Sequence, residues 1–447
     1  MATPELIKKY NVAAPRYTSY PTVPYWETDK WTQSQWLDSV KKSFLESVKD
    51  GISLYIHLPF CESLCTYCGC NTRITKNHSH EELYIQAVLK EWDMYCKLLE
   101  CKPTIKEIHL GGGTPTFFSP INLQKLIKGI LINSRLTIGA EFSFEAHPAN
   151  TTDEHLKALY NFGFRRLSLG IQDFDPRVQD IINRKQSIEQ VVHLTNFARA
   201  LGYKSINYDL IYGLPLQKIS SVENTIKEVI KLMPDRIAYY SYAHVPWIKP
   251  GQRKFTESDL PQDEEKLALY EKGRDLLLKA GYHDIGMDHF SLETDSLFKA
   301  SLNGTLHRNF MGYTHQYTQL SIGLGVSSIS DSWFAFSQNT KHLETYLKNV
   351  AEGVSPLIKG HILTETDLVK RKQILEIMCK GNTDLDLTDA VLLNKLIPLL
   401  EDNLVTINKN NLQVTFLGTA FLRNICMAFD QHLWNSQPEP HIFSTAI

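Results

Sequence analysis

Four cysteines, Cys61, Cys65, Cys68 and Cys70, stand within ten consecutive residues in the pattern C-x3-C-x2-C-x-C. The chain has eight cysteines in 447 residues, so chance would place about 0.2 in such a window. Thiolates this close wrap one compact metal centre or stay free. Zinc wants four tetrahedral ligands, usually as two CxxC knuckles with a long spacer between them, and there is no second CxxC. Three cysteines in C-x3-C-x2-C suit three irons of a 4Fe–4S cube. The fourth iron then lacks a protein ligand and is open to a substrate or cofactor. Cys96, Cys379 and Cys426 read as small buried hydrophobes. Cys101 has no evident role.

Further groups able to do chemistry sit where short apolar runs end. Tyr55 and His57 alternate with Ile56 and Leu58, so both can face one interior. Gly111-Gly112-Gly113-Thr114 ends a second run, and glycines let the backbone approach a ligand closely. Glu145 ends a third run, Gln172 follows a fourth, Asp209 lies near the end of a fifth and Ala243 follows a sixth. Polar groups at successive strand C-termini are where barrel enzymes place their sites.

The elements that must position these groups are legible. Leu54–Leu58, Glu107–Leu110, Glu141–Glu145, Arg166–Gly170, Ser205–Leu210 and Arg236–Tyr240 read as strands. Between them, Glu81 to Leu99 carries Tyr84, Val88, Trp92, Tyr95 and Leu99 on one helical face. Ser119-Pro120 reads as a helix start. Thr151…Glu154, Ser187…Gln190 and Ser220…Glu223 read as capping boxes, and Gly163 and Gly202 as C-caps. Six strand–helix alternations predict an α/β fold with a parallel sheet, either open and doubly wound or a partial barrel. Residues 263–280 read as one helix, and 286–345 are less regular. Helices over 365–380 and 387–401, a hairpin turning at Asn408–Asn411 and a helix from Gly418 to about Leu433 make a winged-helix-like end. The expected domains are 1–45, an N-terminal extension; 46–285, the barrel; 286–355, a barrel-completing segment; and 356–447, a mainly helical C-terminal domain.

Lysine plus arginine is 47 against 49 acidic residues, a net charge of −2, which argues against a nucleic-acid coat or a membrane-surface protein. The hairpin carries only Lys409 as a cation, too little for a wing on phosphate. No signal peptide and no apolar run of the roughly 18 residues needed to span a bilayer is visible. A cytoplasmic protein is expected.

CxxxCxxC after a first strand is similar to the signature of the radical S-adenosylmethionine (SAM) enzymes. PRYTSYPT (15–22), YIHLPFCESLCTYCGCN (55–71), GGGTPT (111–116), GIQDF (170–174), NYDLIYGLP (207–215), YAHVP (242–246), GMDHF (286–290), LHRNFMGYT (306–314) and RNICMAFD (423–430) resemble the oxygen-independent coproporphyrinogen III oxidases. The resemblance runs from about residue 15 to the end. Its CGC extension separates this branch from related heme chaperones, the alternative reading, which carry the cluster without decarboxylase activity.

The resemblance implies a partial (β/α)6 barrel and a set of residue roles. Cys61, Cys65 and Cys68 would hold the 4Fe–4S cluster and Cys70 would not. Tyr55, Gly112, Glu145 and Ile329 would belong to a first SAM. Gly113, Thr114, Gln172, Arg184, Asp209 and Ala243 would belong to a second. An arginine on a helix is usually a surface charge, so Arg184 is placed there by the resemblance alone. Tyr55, His57 and Glu145 are the candidate catalytic side chains. Arg308, Phe310, Met311 and Arg253 are candidates for substrate contact, and some relatives carry glutamine where Met311 stands. The implied reaction converts the ring A and B propionates of coproporphyrinogen III to vinyl groups, giving protoporphyrinogen IX. It uses a 5′-deoxyadenosyl radical from SAM. It implies a low-potential electron donor such as flavodoxin or ferredoxin, and a monomer.

Overall fold

A computed structural model describes residues 3–436 and Phe443. The outer ends of the first and last expected domains therefore lie outside the described residues.

Strands β1 (Ile52–Leu58), β2 (Thr104–Gly112), β3 (Arg135–Ala146), β4 (Phe164–Gln172), β5 (Ser205–Tyr212) and β6 (Arg236–Ser241) pair in sequence order and in parallel. Helices His80–Leu99, Pro120–Ile132, Asp153–Asn161, Ile188–Leu201, Ile219–Leu232 and Asp263–Lys279 accompany them. Leu54, Ile56 and Leu58 of β1 are fully buried in one core with Tyr84, Val88 and Trp92 of the first of these helices. That burial of large side chains on both partners is what holds the layer, at about 25 cal/mol per Å2 of apolar surface.

The segment expected to be irregular completes the sheet. Ser321–Leu324 pairs in parallel with the free edge of β1, opposite Ser53–Ile56. Ile329–Asp331, Ala335–Asn339 and Leu357–Ile362 continue that edge antiparallel. His289–Ser291 and His283–Gly286 extend the far side beyond β6. The result is a twelve-stranded sheet whose two outermost strands do not pair with each other. It curves enough that β2 and His289 line one cavity. Of the two architectures left open by periodicity, this is the partial barrel. Leu357–Ile362, within the range expected for the C-terminal domain, pairs with Ala335–Asn339 as an edge of the main sheet.

Ser119 and Ser187 cap as expected. Two other caps shift. Thr152 caps Asp153–Asn161, because the Thr151 hydroxyl donates instead to the His147 carbonyl at 2.8 Å. Helix Ile219–Leu232 starts after Lys218, whose amide donates to the Ser221 hydroxyl.

The C-terminal part packs around its own core. Tyr10, Tyr17 and Tyr20 of the N-terminal segment are buried in it with Leu392, Leu412 and Ile425. The hairpin Val405–Asn408/Asn411–Val414 gains a third strand, Asn382–Asp384. The single final helix expected is three pieces, Gly418–Phe421, Leu422–Met427 and Gln431–Asn435. Asp430 breaks it, accepting the Leu433 amide at 3.0 Å and the Tyr17 hydroxyl at 3.0 Å.

A buried His361–Asp367–His432 group ties this end to the sheet. His432 Nε2 lies 2.8 Å and His361 Nε2 3.5 Å from the Asp367 carboxylate. His361 Nδ1 accepts the Glu27 amide at 3.3 Å, so its proton sits on Nε2, facing Asp367. A metal-bound histidine would donate from that second nitrogen, so the group is a cross-tie and not a metal centre. Among the described residues no helix is long and apolar enough to cross a membrane.

Candidate active site

The strand C-termini and the cysteine loop enclose a cavity of about 390 Å3. Cys61, Cys65, Cys68 and Cys70 line it, with Gly112, Gly113, Thr114, Glu145, Gln172, Arg184, Asp209 and Met311.

The cysteine loop follows β1 and is tied down from several directions. The Cys68 amide donates to the Cys65 carbonyl at 3.1 Å. Thr114 Oγ1 lies 3.3 Å from Cys61 Sγ, and Arg184 donates to Cys65 Sγ at 3.6 Å. The Cys70 amide donates to Cys68 Sγ at 3.4 Å, and its thiol meets the same sulfur, so Cys70 touches the ligand set through both backbone and side chain. Burial pushes the Cys61 thiol up to about 11. Its thiolate therefore calls for positive charge beside it, which a metal centre supplies.

The donor set fits a cluster: three thiolates, Cys61, Cys65 and Cys68, stand on one short loop beside the cavity, the ligand spacing that leaves one iron of a cube open.

The glycine wall is dictated sterically. Gly112 has φ +117°, and a Cβ there would lie 2.8 Å from the His57 ring. At Gly113 a Cβ would meet the Pro59 carbonyl oxygen at 2.6 Å and Cys61 Sγ at 3.0 Å. No side chain fits between β2 and the cysteine loop, so bare backbone forms the wall there, with the Gly113 amide donating to the Leu58 carbonyl at 2.8 Å and the Thr114 amide to the Phe60 carbonyl at 3.0 Å.

His57 and Tyr55 lie beneath this wall and do not line the cavity. The Tyr55 hydroxyl donates to His57 Nδ1 at 3.0 Å, and His57 Nε2 donates to the Asn71 carbonyl at 2.9 Å. Burial lowers the His57 pKa. The neutral ring, engaged at both nitrogens, ties the end of the cysteine loop to β1.

Glu145 accepts the Gly112 amide at 3.2 Å, with His109 Nε2 at 3.4 Å. Asp209 accepts from Ser168 Oγ at 2.9 Å and Asn207 Nδ2 at 2.8 Å. Burial, and then the Glu145 charge, raise the Asp209 carboxyl to about 6. Arg184 is buried, not on the surface, and its Nε donates to the Gly170 carbonyl at 3.1 Å.

Several candidate residues lie elsewhere. Ala243 is off the cavity, though its carbonyl and that of Tyr67 both accept from Gln252. Ile329 and Phe310 pack with Trp26 and Phe336 in a separate apolar cluster. Arg308 is buried with its Nη2 donating to the Arg16 carbonyl at 3.3 Å and its guanidinium over Tyr313. Arg253 is exposed and donates to the Pro246 carbonyl.

Sequence reading missed His109, Ser143, His147, Arg166 and Arg236, all of which line the cavity. A signal was present. Strands buried on both faces read as continuous apolar runs. Here Glu107/His109, Ser143/Glu145, Arg166/Ser168 and Asn207/Asp209 place polar groups at every second position.

The radical SAM superfamily model matches residues 55–229. The oxygen-independent coproporphyrinogen III oxidase of Escherichia coli (strain K12) is 38% identical over 443 residues, covering 96% of this chain and 95% of that protein. The Synechocystis protein of the same name is 37% identical, over 99% and 97%. A solved structure, coproporphyrinogen III oxidase (HemN) from E. coli, described as a radical SAM enzyme, superposes with a TM-score of 0.89 at 37% identity. That superposition covers 94% of this chain and 98% of that one. The chain belongs to the oxygen-independent coproporphyrinogen III oxidase family. Coverage of nearly the whole chain extends the likeness to the N-terminal segment and the C-terminal domain, beyond the superfamily barrel.

Proposed function

We propose that this radical SAM enzyme carries out the reaction for which its relatives are named. That reaction is oxidative decarboxylation of two propionates of coproporphyrinogen III to vinyl groups, without oxygen. The observation that carries the reading is the cavity itself. A three-cysteine loop, the Gly112–Gly113 backbone and the carboxylates of Glu145 and Asp209 converge on one space.

Cys61, Cys65 and Cys68 would hold the 4Fe–4S cluster, and two SAM molecules would occupy the walls. Bound together, cluster and SAM would supply the radical chemistry that acts on the propionate β-carbon. The protein's share is binding and exclusion of water. Glu145, with Gly112, faces the first SAM, and Gly113, Thr114, Gln172, Arg184 and Asp209 face the second. Ala243 joins through the backbone near Tyr67. Ile329 has no cavity contact that supports a direct role.

Four substrate propionates need cations, and Arg166 and Arg236 lie on the cavity wall where Arg308 does not. Met311 and Tyr313 line the cavity, and the Tyr313 hydroxyl donates to the Met378 carbonyl at 2.9 Å. That contact supports the C-terminal domain as a cover over the barrel, keeping the chemistry dry. A flavodoxin- or ferredoxin-like donor, a cytoplasmic location and a monomer without nucleic-acid or membrane partners complete the reading.

The test is anaerobic. Reconstituted protein with SAM and a reductant should form 5′-deoxyadenosine when coproporphyrinogen III is added. Tight heme binding without such turnover would support the heme-chaperone alternative instead.

A further inference from the structure

We infer that His109 sets the orientation of the Glu145 carboxylate and is a positioning residue for SAM binding. The inference rests on the reading of Glu145 as a SAM contact. In the sheet register Tyr55 of β1 stands opposite His109 of β2, which stands opposite Ser143 of β3. All three project to the inner face. The imidazole stacks on the Tyr55 ring, centroids 6.0 Å apart at 17°. Ser143 Oγ lies 2.7 Å from His109 Nδ1, and His109 Nε2 lies 3.4 Å from Glu145 Oε1.

An ionised carboxylate only accepts hydrogen bonds. Nε2 therefore carries the proton toward Glu145, Nδ1 accepts, and the Ser143 hydroxyl donates to it. The chain of donors runs Ser143 to His109 to Glu145. It matters because Glu145 is a long side chain at a strand end, 44% exposed. Fixing its free rotamers costs conformational entropy. The Gly112 amide holds Oε2 at 3.2 Å, and His109 holds Oε1. A carboxylate offers about four acceptor positions. Two are used by the protein, and two remain for donors such as the ammonium or ribose hydroxyls of SAM. His109 thus presents the carboxylate to the ligand before it arrives.

The reach of the side chain gives the test. Glutamine can place an amide N–H near the position of Nε2, whereas asparagine reaches only that of Nδ1. The measurement is SAM affinity by equilibrium dialysis on the anaerobically reconstituted full chain without reductant, with iron content and steady-state KM and kcat alongside. His109→Ala and His109→Asn should weaken SAM binding about tenfold, about 1.4 kcal/mol, at unchanged iron content. His109→Gln should stay within about threefold of the wild type, and Ser143→Ala should weaken binding by a smaller factor. KM for SAM should rise more than kcat falls. Equal affinities for the Asn and Gln variants would overturn the inference. So would an unchanged His109→Ala affinity where Glu145→Ala binds weakly. An unchanged Glu145→Ala affinity would overturn the Glu145 assignment itself, and the inference with it.

Discussion

Cys61, Cys65 and Cys68 differ from Cys70 in what they offer a cluster. Replacing any of the first three by alanine should abolish iron binding, measured as iron per chain after anaerobic reconstitution. Cys70→Ala keeps the amide that donates to Cys68 Sγ, so it should retain most of the iron. Loss of iron in that variant would contradict the ligand assignment. Gly113→Ala is a second test at this scale. Its Cβ would meet backbone at 2.6 Å and Cys61 Sγ at 3.0 Å, and neither can yield without moving the loop. Iron should be lost while far-UV circular dichroism is unchanged. Much of this was legible from spacing alone, because ligand spacing is local. What was not legible is where Arg184 and Arg308 point. An arginine's surroundings are set by residues distant in the chain, and here Arg184 is buried at the cavity while Arg308, also buried, does not line it.

The six strand–helix units were readable because each apolar run and cap is contained in about twenty residues. The parallel strand Ser321–Leu324 was not. It is four residues long and pairs with β1 across 268 positions of chain. Buried polar contacts hold that junction. Glu91, on helix His80–Leu99, accepts the Gly325 amide at 2.8 Å, the Tyr346 hydroxyl at 2.7 Å and Asn339 Nδ2 at 2.7 Å. Burial raises its carboxyl from 4.5 to about 7. Between those values the folded protein keeps a proton that the unfolded chain has lost, so stability falls as pH rises from about 4.5 to 7. Denaturant midpoints across that range should show the slope, and Glu91→Gln should flatten it. Glu91→Leu leaves three buried donors without an acceptor and should cost several kcal/mol, on the order of 3. An unchanged slope in Glu91→Gln would assign the pH dependence elsewhere.

For the whole molecule, the proposed cover over the barrel depends on how the C-terminal end is pinned. The Asp367 carboxylate raises the His432 pKa above 6.5, against the opposing effect of burial, and His432 in turn helps hold Asp367 ionised. A raised histidine contributes its stability fully below 6.5 and loses it as pH climbs through the folded value. His432→Gln should therefore speed proteolysis of the C-terminal segment at pH 6 and differ little from the wild type at pH 9. An equal effect at both pH values would mean packing, not charge, holds this end.

The central claim is that the cavity decarboxylates coproporphyrinogen III. It is tested most directly by mass spectrometry of the porphyrinogen after anaerobic incubation with reconstituted protein, SAM and reductant. The expected product is protoporphyrinogen IX, lacking two carboxyl groups, formed by the wild type and absent with Cys65→Ala. Unaltered coproporphyrinogen III, with the cluster intact and SAM bound, would contradict it.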